Sequence, residues 1–182
     1  MEKYSFEKII IALICIGIAL IIPYESLVPI SLYKYAEIKV SPVDNESHSG
    51  KGEAWLLKIT ADGVEIDLNH IETNGKWQKV DTSIVYVPSS KSTENTLLLR
   101  LGQYQEIDLE FLRHAWSGQI RIEDSGHFEY IDLYSPTSSS ITYTHKGIIG
   151  LKGKALCFLA YMITALGIFQ MVHISTTGQR CL

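Results

Sequence analysis

Cysteine is scarce in this chain and is absent where a disulfide framework would need it. The 182 residues contain Cys15, Cys157 and Cys181, and none lies between Lys39 and Lys146. The middle of the chain must therefore be held by an apolar core, even in an oxidising compartment. Positive charge is scarce in the same stretch. Between Val43 and Lys146 there are 9 Lys/Arg against 16 Asp/Glu, a net charge of −7. An acidic domain lacks the basic footprint that nucleic-acid binding requires, so no nucleic-acid partner is expected. Glycine-rich phosphate loops are missing as well. With no G-x-G-x-x-G and no P-loop, a nucleotide-binding reading has nothing to rest on.

What is present in quantity is apolar residues, gathered at the two ends. Ile9 to Ile22 is uncharged and apolar throughout, and Ala155 to Ile174 is a second uncharged run. The second is about the ~20 residues that a helix needs to cross a bilayer. It shows no polar stripe of the kind a soluble core helix carries. The first follows Lys3 and Lys8, as a signal peptide would. Pro23-Tyr24-Glu25 follow it, however, and no small-x-small cleavage site appears, so an uncleaved anchor is expected. Tyr24 is placed as an interfacial aromatic, and Lys152 and Lys154 as partners of lipid headgroups. Two spans put both termini on one side. Lys3, Lys8 and Arg180 favour cytoplasmic termini and an outward-facing middle domain, while Lys152 and Lys154 oppose that vote.

The expected division is an N-terminal anchor and juxtamembrane segment over 1–38, an extracytoplasmic domain with its linkers over 39–146, and a C-terminal transmembrane helix and tail over 147–182. Within the middle, Pro42 to Gly52 reads as a polar linker and Ser135 to Thr144 as the exit linker. Strand signals fill the space between. Trp55 to Thr60 alternates, Asp62-Gly63 is a hairpin turn, and Val64 to Leu68 returns. Asn74-Gly75 precedes Trp77 to Val80, and Ser83 to Val87 stops at Pro88. Leu97, Leu99 and Leu101 alternate, as do Ile107, Leu109 and Phe111. Ile120 and Ile122 lead to the Asp124-Ser125-Gly126 turn and a further strand from Phe128. Seven or eight short strands with almost no helical periodicity predict an all-β fold, an antiparallel β-sandwich or small barrel, flanked by transmembrane helices.

Chemistry-bearing constellations are thin. His48, His70, His114, His127 and His145 show no metal-ligand spacing, so no metal or other cofactor is expected. Asp62-Gly63 and Asp124-Ser125-Gly126 are fragments of a calcium loop that ordinary turn chemistry explains better. Glu65/Asp67 and Asp108/Glu110 share strand faces, but the apolar residues between them mark those faces as solvated; Glu129 with Asp132 is the third acidic pair. Ser117-Gly118 lacks the flanking glycine of a nucleophile elbow. Asn45-Glu46-Ser47 matches the N-glycosylation acceptor pattern, which matters only in a eukaryotic source. Aromatics are the more promising material. Trp55, Trp77 and Trp116 all lie in the middle domain. Trp77, beside a turn, is expected to be exposed. Trp116 lies in the loop-like Arg113-His114-Ala115-Trp116-Ser117-Gly118. Trp77, Trp116, His114 and Arg113 are the expected contacts for a glycan or protein partner, since exposed rings stack on the apolar faces of sugars.

Three stretches together resemble a known group of modules: Trp55-x-x-x-Ile59-x-x-Asp62-Gly63-x-x-Ile66-Asp67-Leu68, Phe111-Leu112-Arg113-His114-Ala115-Trp116-Ser117-Gly118, and Ile131-Asp132-Leu133-Tyr134-Ser135. They look like the extracytoplasmic β-sandwich modules of bacterial membrane proteins involved in cell-surface polysaccharide assembly. The resemblance implies a bacterial envelope setting and a glycan-related, accessory task, and it brings no catalytic residues. The expectation is therefore a membrane-anchored, non-enzymatic module that binds an envelope glycan or a partner protein. The alternative is a structural subunit of a larger membrane complex, assembled through helices in which Gly150, Gly153, Ala160, Thr164 and Gly167 allow close approach. A membrane-tethered polysaccharide hydrolase would require a cleft holding two carboxylates.

Overall fold

The computed structural model describes residues 28–43, 52–88 and 94–178, with side chains described as far as Gln170. The apolar run Ile9 to Ile22, Tyr24, Cys15, Cys181 and the Asn45-Glu46-Ser47 triplet lie outside the described residues. The chain divides into two compact units, Tyr33–Ile148 and a second made of 1–32 with 149–182.

Among its described residues the first unit has ten strands: β1 (Tyr35–Val43), β2 (Ala54–Ala61), β3 (Val64–Ile66), β4 (Trp77–Val80), β5 (Ser83–Tyr86), β6 (Leu97–Gln103), β7 (Glu106–Arg113), β8 (Gln119–Asp124), β9 (His127–Asp132) and β10 (Ser139–Lys146). They form two antiparallel sheets, β6-β1-β8-β9 and β10-β7-β2-β5-β4, with β3 paired to β2. Inward residues of both sheets join one apolar cluster, including Ile38 and Val40 of β1, Leu56 and Ile59 of β2, Leu97 and Leu99 of β6, and Leu109 and Phe111 of β7. Each such side chain contributes about 1.5–3 kcal/mol when withdrawn from water. Two antiparallel sheets sharing one core are consistent with the expected sandwich.

Two strands went unread in the sequence. β1 begins at Tyr35, inside the segment assigned to the anchor, and ends in the assigned linker. It is central, paired to β6 on one side and β8 on the other. Its Pro42 lies near the end of the strand, past Val40, where pairing with β6 stops. β10 occupies most of the stretch read as an exit linker. Its Ser/Thr content suits a loop, but Thr is also a good strand residue, and Ile141, Tyr143 and His145 alternate with exposed polar residues.

β2 also departs from simple alternation. Leu56 pairs with Phe111 and Lys58 with Glu110, so two steps on β2 oppose one on β7. This bulge keeps Leu56 and Ile59, three apart, both fully buried. The Asp62-Gly63 turn is as expected, with φ of 49° and 79°. Both central residues thus occupy the left-handed region of a type I′ hairpin. The Asp62 carboxylate Oδ1 accepts from the backbone N–H of Gln105 and of Glu106, each at 2.9 Å. It ties the β2–β3 turn to the β6–β7 turn. Gly75, at φ 65°, lies so close to the Glu94 backbone that a side chain there would collide with it.

In the second unit, α1 (Leu151–Gly178) is the one helix among the described residues long and apolar enough to cross a membrane. The expected pair of flanking helices is therefore seen only at its C-terminal member. Residues Leu151–Gln170 have a mean hydropathy of 1.5 and would span about 30 Å. Leu151, Leu156, Phe158, Leu159, Met162, Ile163 and Leu166 are exposed, and at 3.6 residues per turn they lie along one face of the helix. A turn over Ile30–Leu32 precedes the strands, and its Leu32 carbonyl accepts from Gly150 N–H at 2.9 Å. Gly153 sits tightly against Ile149 and Leu32, whereas Gly167 faces open space. Thr164 returns its hydroxyl to the Ala160 carbonyl at 2.9 Å, the usual way a helix hides this polar group.

Candidate functional site

The stretch from Arg113 to Gly118 leaves β7 and turns sharply back toward β8. Ser117 N–H donates to the His114 carbonyl at 3.1 Å, closing a four-residue turn with Trp116 near its apex. The turn is tied on two sides. Glu53 N–H donates to the Trp116 carbonyl and Gly118 N–H to the Glu53 carbonyl, both at 3.1 Å. On the other side, His114 N–H donates to Leu133 and Ser135 N–H to His114. Backbone anchoring of this kind fixes the turn in place.

Trp116 is 59 % exposed, a large value for an anchored tryptophan. His114 stands edge-on to it at 6.1 Å between ring centroids, and edge-on to Trp55 at 6.4 Å. These edge-to-face pairs set three rings in a row. The Trp116 N–H donates to His114 Nδ1 at 3.1 Å. That nitrogen is therefore the acceptor, and in the neutral ring Nε2 carries the proton. Trp55 Nε1–H donates to Glu53 Oε2 at 3.2 Å, holding the carboxylate beside the rings. Around them lies an open cleft of about 400 Å³, closed on its far side by Leu112, Pro136 and Ser138. Its volume falls within the ~300–1,000 Å³ common for small-molecule sites.

The expected contacts divide. Trp116 and His114 come together at this cleft. Arg113 lies beside it but is spent on structure: its Nη2 donates to the Tyr134 carbonyl at 3.1 Å, and its Nε is buried with no partner among the described residues. Trp77 is a correction. It is only 2 % exposed, packs at a tilt against Tyr86 with ring centroids 5.5 Å apart, and donates through Nε1 to the Asn95 carbonyl at 2.8 Å. Its position next to a turn suggested exposure, but it opens β4 on the inward face and fills the core. Lys152 and Lys154 lie in the first turn of α1, both exposed. Tyr24 lies outside the described residues.

Trp55 and Glu53 are the cleft members the sequence reading passed over. Trp55 alternates with the buried Ala54 and Leu56, and that parity was the available signal that it faces outward. The other expectations fall as follows. Glu65 pairs with Lys58 at 2.9 Å, and Asp108 accepts from Thr144 Oγ1 at 2.6 Å. The cleft lining holds one carboxylate, that of Glu53. His114 and His127 line separate depressions. Among the described residues no three His, Cys, Asp or Glu side chains converge as metal ligands. Comparison of the chain with protein-family models, curated proteins and solved structures gives no match.

Proposed function

We propose that this chain is a membrane-anchored, non-enzymatic binding module whose β domain, outside the cytoplasmic membrane, holds an envelope glycan or a protein partner in the Trp55–His114–Trp116 cleft. The resemblance in the three motif stretches makes an accessory task in cell-surface polysaccharide assembly the favoured setting. The observation that carries the reading is the exposed Trp116 ring, anchored through its backbone and set beside two further rings and a carboxylate. A sugar ring offers an apolar face for such a surface and hydroxyls for Glu53 and His114 Nε2–H. The single carboxylate of the cleft does not supply the pair that glycoside hydrolysis uses.

α1 supports the anchored part of the reading. Lysines at a helix N-terminus are opposed by the helix dipole, at a cost of about 0.3–1 kcal/mol each. Lys152 and Lys154 therefore do not stabilise the helix itself, and anionic headgroups at a bilayer surface are a natural partner. Four residues separate β10 from α1. They can reach at most about 14 Å, which holds the domain and its ligand near the bilayer. Retention of the N-terminal segment as a second span, with both termini cytoplasmic, completes the topology.

The test is a glycan array probed with the full-length protein in a non-ionic detergent, together with its W116A and W55A variants. Binding to envelope polysaccharide that falls more than tenfold in both variants is the expected result. Binding that both variants retain, or none to any cell-wall or capsular glycan or envelope protein, overturns the cleft assignment. A second reading, a structural subunit assembled through α1, is favoured by the apolar side chains that this helix exposes along one face. It requires a stoichiometric partner to co-purify in mild detergent, and a clean monomer would count against it.

A further inference from the structure

The two sheets each end in a strand with one free edge on the same side of the domain. β9 is paired only to β8, and β10 only to β7, among the described residues. These edges face one another across a groove made of two joined clefts. One, of about 470 Å³, lies between Glu129–Asp132 and Ile141–Thr144. The other, of about 380 Å³, lies between His127–Glu129 and Tyr143–Lys146, and the two share Glu129 and Tyr143. As β9 advances from His127 to Asp132, its neighbours on β10 therefore descend from Lys146 to Ile141. The edges run antiparallel, so one strand laid between them would be antiparallel to one and parallel to the other.

Free edges are normally guarded by lysine, proline or a bulge. β9 has neither lysine nor proline, and β10 has Lys146 only at its last position. Both are long for unprotected edges, at 6 and 8 residues. The floor of the groove is apolar, with Ile131 in the core and Ile141 and Tyr143 packed against it. Its walls are acidic. Asp124, Glu129 and Asp132 line it against a single Lys146, an excess of two negative charges with the histidines neutral. Burial, reinforced by the Glu129 and Asp124 carboxylates, raises the Tyr143 hydroxyl above its ordinary value, which registers the same negative field. Phe128 and Tyr130 stand exposed on the outer face of β9, 5.7 Å apart; Arg121 already lies over the Phe128 ring, and the Tyr130 ring is the one offered to a further cation.

We infer that the seam between β9 and β10 is a docking site for an extended peptide segment of a partner protein, one that alternates apolar and cationic side chains. Its backbone pairs with both edges and its apolar residues cover Ile131, Ile141 and Tyr143. Its lysines or arginines fall on the opposite face, beside Asp132 and the exposed Tyr130 ring. Main-chain pairing supplies affinity and the alternation supplies selectivity, as in other strand-addition complexes. About six residues, some 20 Å of strand, fill the length of β9. This site is separate from the tryptophan cleft and does not depend on it.

The test uses the full-length protein in a non-ionic detergent and an acetylated, amidated six-residue peptide alternating valine and lysine. Two controls accompany it: the same peptide with one central valine replaced by proline, and a valine–glutamate peptide. Hydrogen exchange followed by mass spectrometry reads the backbone directly. The expected result is at least tenfold slower exchange over both 127–132 and 139–146 with the valine–lysine peptide, and no slowing with either control. D132N, which removes the outward-facing charge and keeps an acceptor for the Tyr134 N–H, should weaken the valine–lysine peptide at least threefold. Equal slowing by the proline peptide reduces the effect to charge attraction and overturns the proposal. So does slowing in neither edge strand, or edge protection already present in the peptide-free protein as a dimer, which would make a second copy the occupant.

Discussion

The opposite environments of Trp77 and Trp116 make a quantitative test of the whole assignment. Replacing Trp77 by alanine empties a site that is 2 % exposed in the core. Large aromatic deletions of this kind cost about 3–5 kcal/mol. The Asn95 carbonyl, which accepts from Trp77 Nε1 at 2.8 Å, loses its donor, and a buried group left unpaired adds about 1 kcal/mol or more. The compact unit Tyr33–Ile148 has 148 − 33 + 1 = 116 residues. At about 2.1 cal/mol/K per residue its unfolding entropy is about 240 cal/mol/K, so each kcal/mol moves Tm by about 4 °C. W77A should therefore lower Tm by about 16–24 °C. Trp116 projects from an anchored turn, and removing an exposed side chain costs within about 0.5 kcal/mol. W116A should shift Tm by about 2 °C or less while losing ligand. Thermal unfolding of the full-length protein in detergent, followed by near-ultraviolet circular dichroism, reads both shifts. Comparable losses from W77A and W116A would refute the reasoning, because Trp116 would then be supporting the fold.

Two further outcomes follow from single side chains. Burial, reinforced by the nearby Asp124 carboxylate, pushes the Tyr104 hydroxyl well above its ordinary value of 10. The folded domain then holds this proton more tightly than the unfolded chain does. The resulting stability is complete below about pH 10 and is lost as pH rises toward the folded value, by about 1.4 kcal/mol per pH unit. Because the buried Tyr104 hydroxyl has no hydrogen-bond partner among the described residues, Y104F should match or exceed the native stability at neutral pH. It should also flatten the alkaline loss in urea titrations; an unchanged alkaline loss would exclude Tyr104 as its source. D62A removes the acceptor of two backbone N–H groups and places alanine at φ 49°. A loss of about 1–3 kcal/mol is expected, with D62N retaining more than half of the native stabilisation, both read from urea midpoints.

The sequence alone determined the elements whose signals are local. Alternation placed β6, β7 and β8, and Asp62-Gly63 and Asp124-Ser125-Gly126 placed two turns, because a strand with one buried face repeats every two residues. The all-round apolar run from Ala155 made α1 legible for the same kind of reason, since an uninterrupted apolar stretch of that length favours one long helix. Trp116 and His114 were legible because a turn-rich segment with aromatic content is unusual inside a β pattern. Tertiary structure decided what depends on distant partners. β1 is a strand because β6 and β8 take up its two edges, and β10 because β7 offers it a long register; their Pro- and Ser-rich local sequences argue otherwise. Trp77 and Trp116 each sit beside a turn, and only packing against Tyr86 and the Asn95 carbonyl sends one inward. The Trp55–Glu53 side of the cleft and the facing edges of β9 and β10 exist only once residues far apart in sequence are brought together. Sequence periodicity reports which side of an element is buried. What lies opposite that side, and which edges remain open, is settled by the order in which the two sheets are assembled.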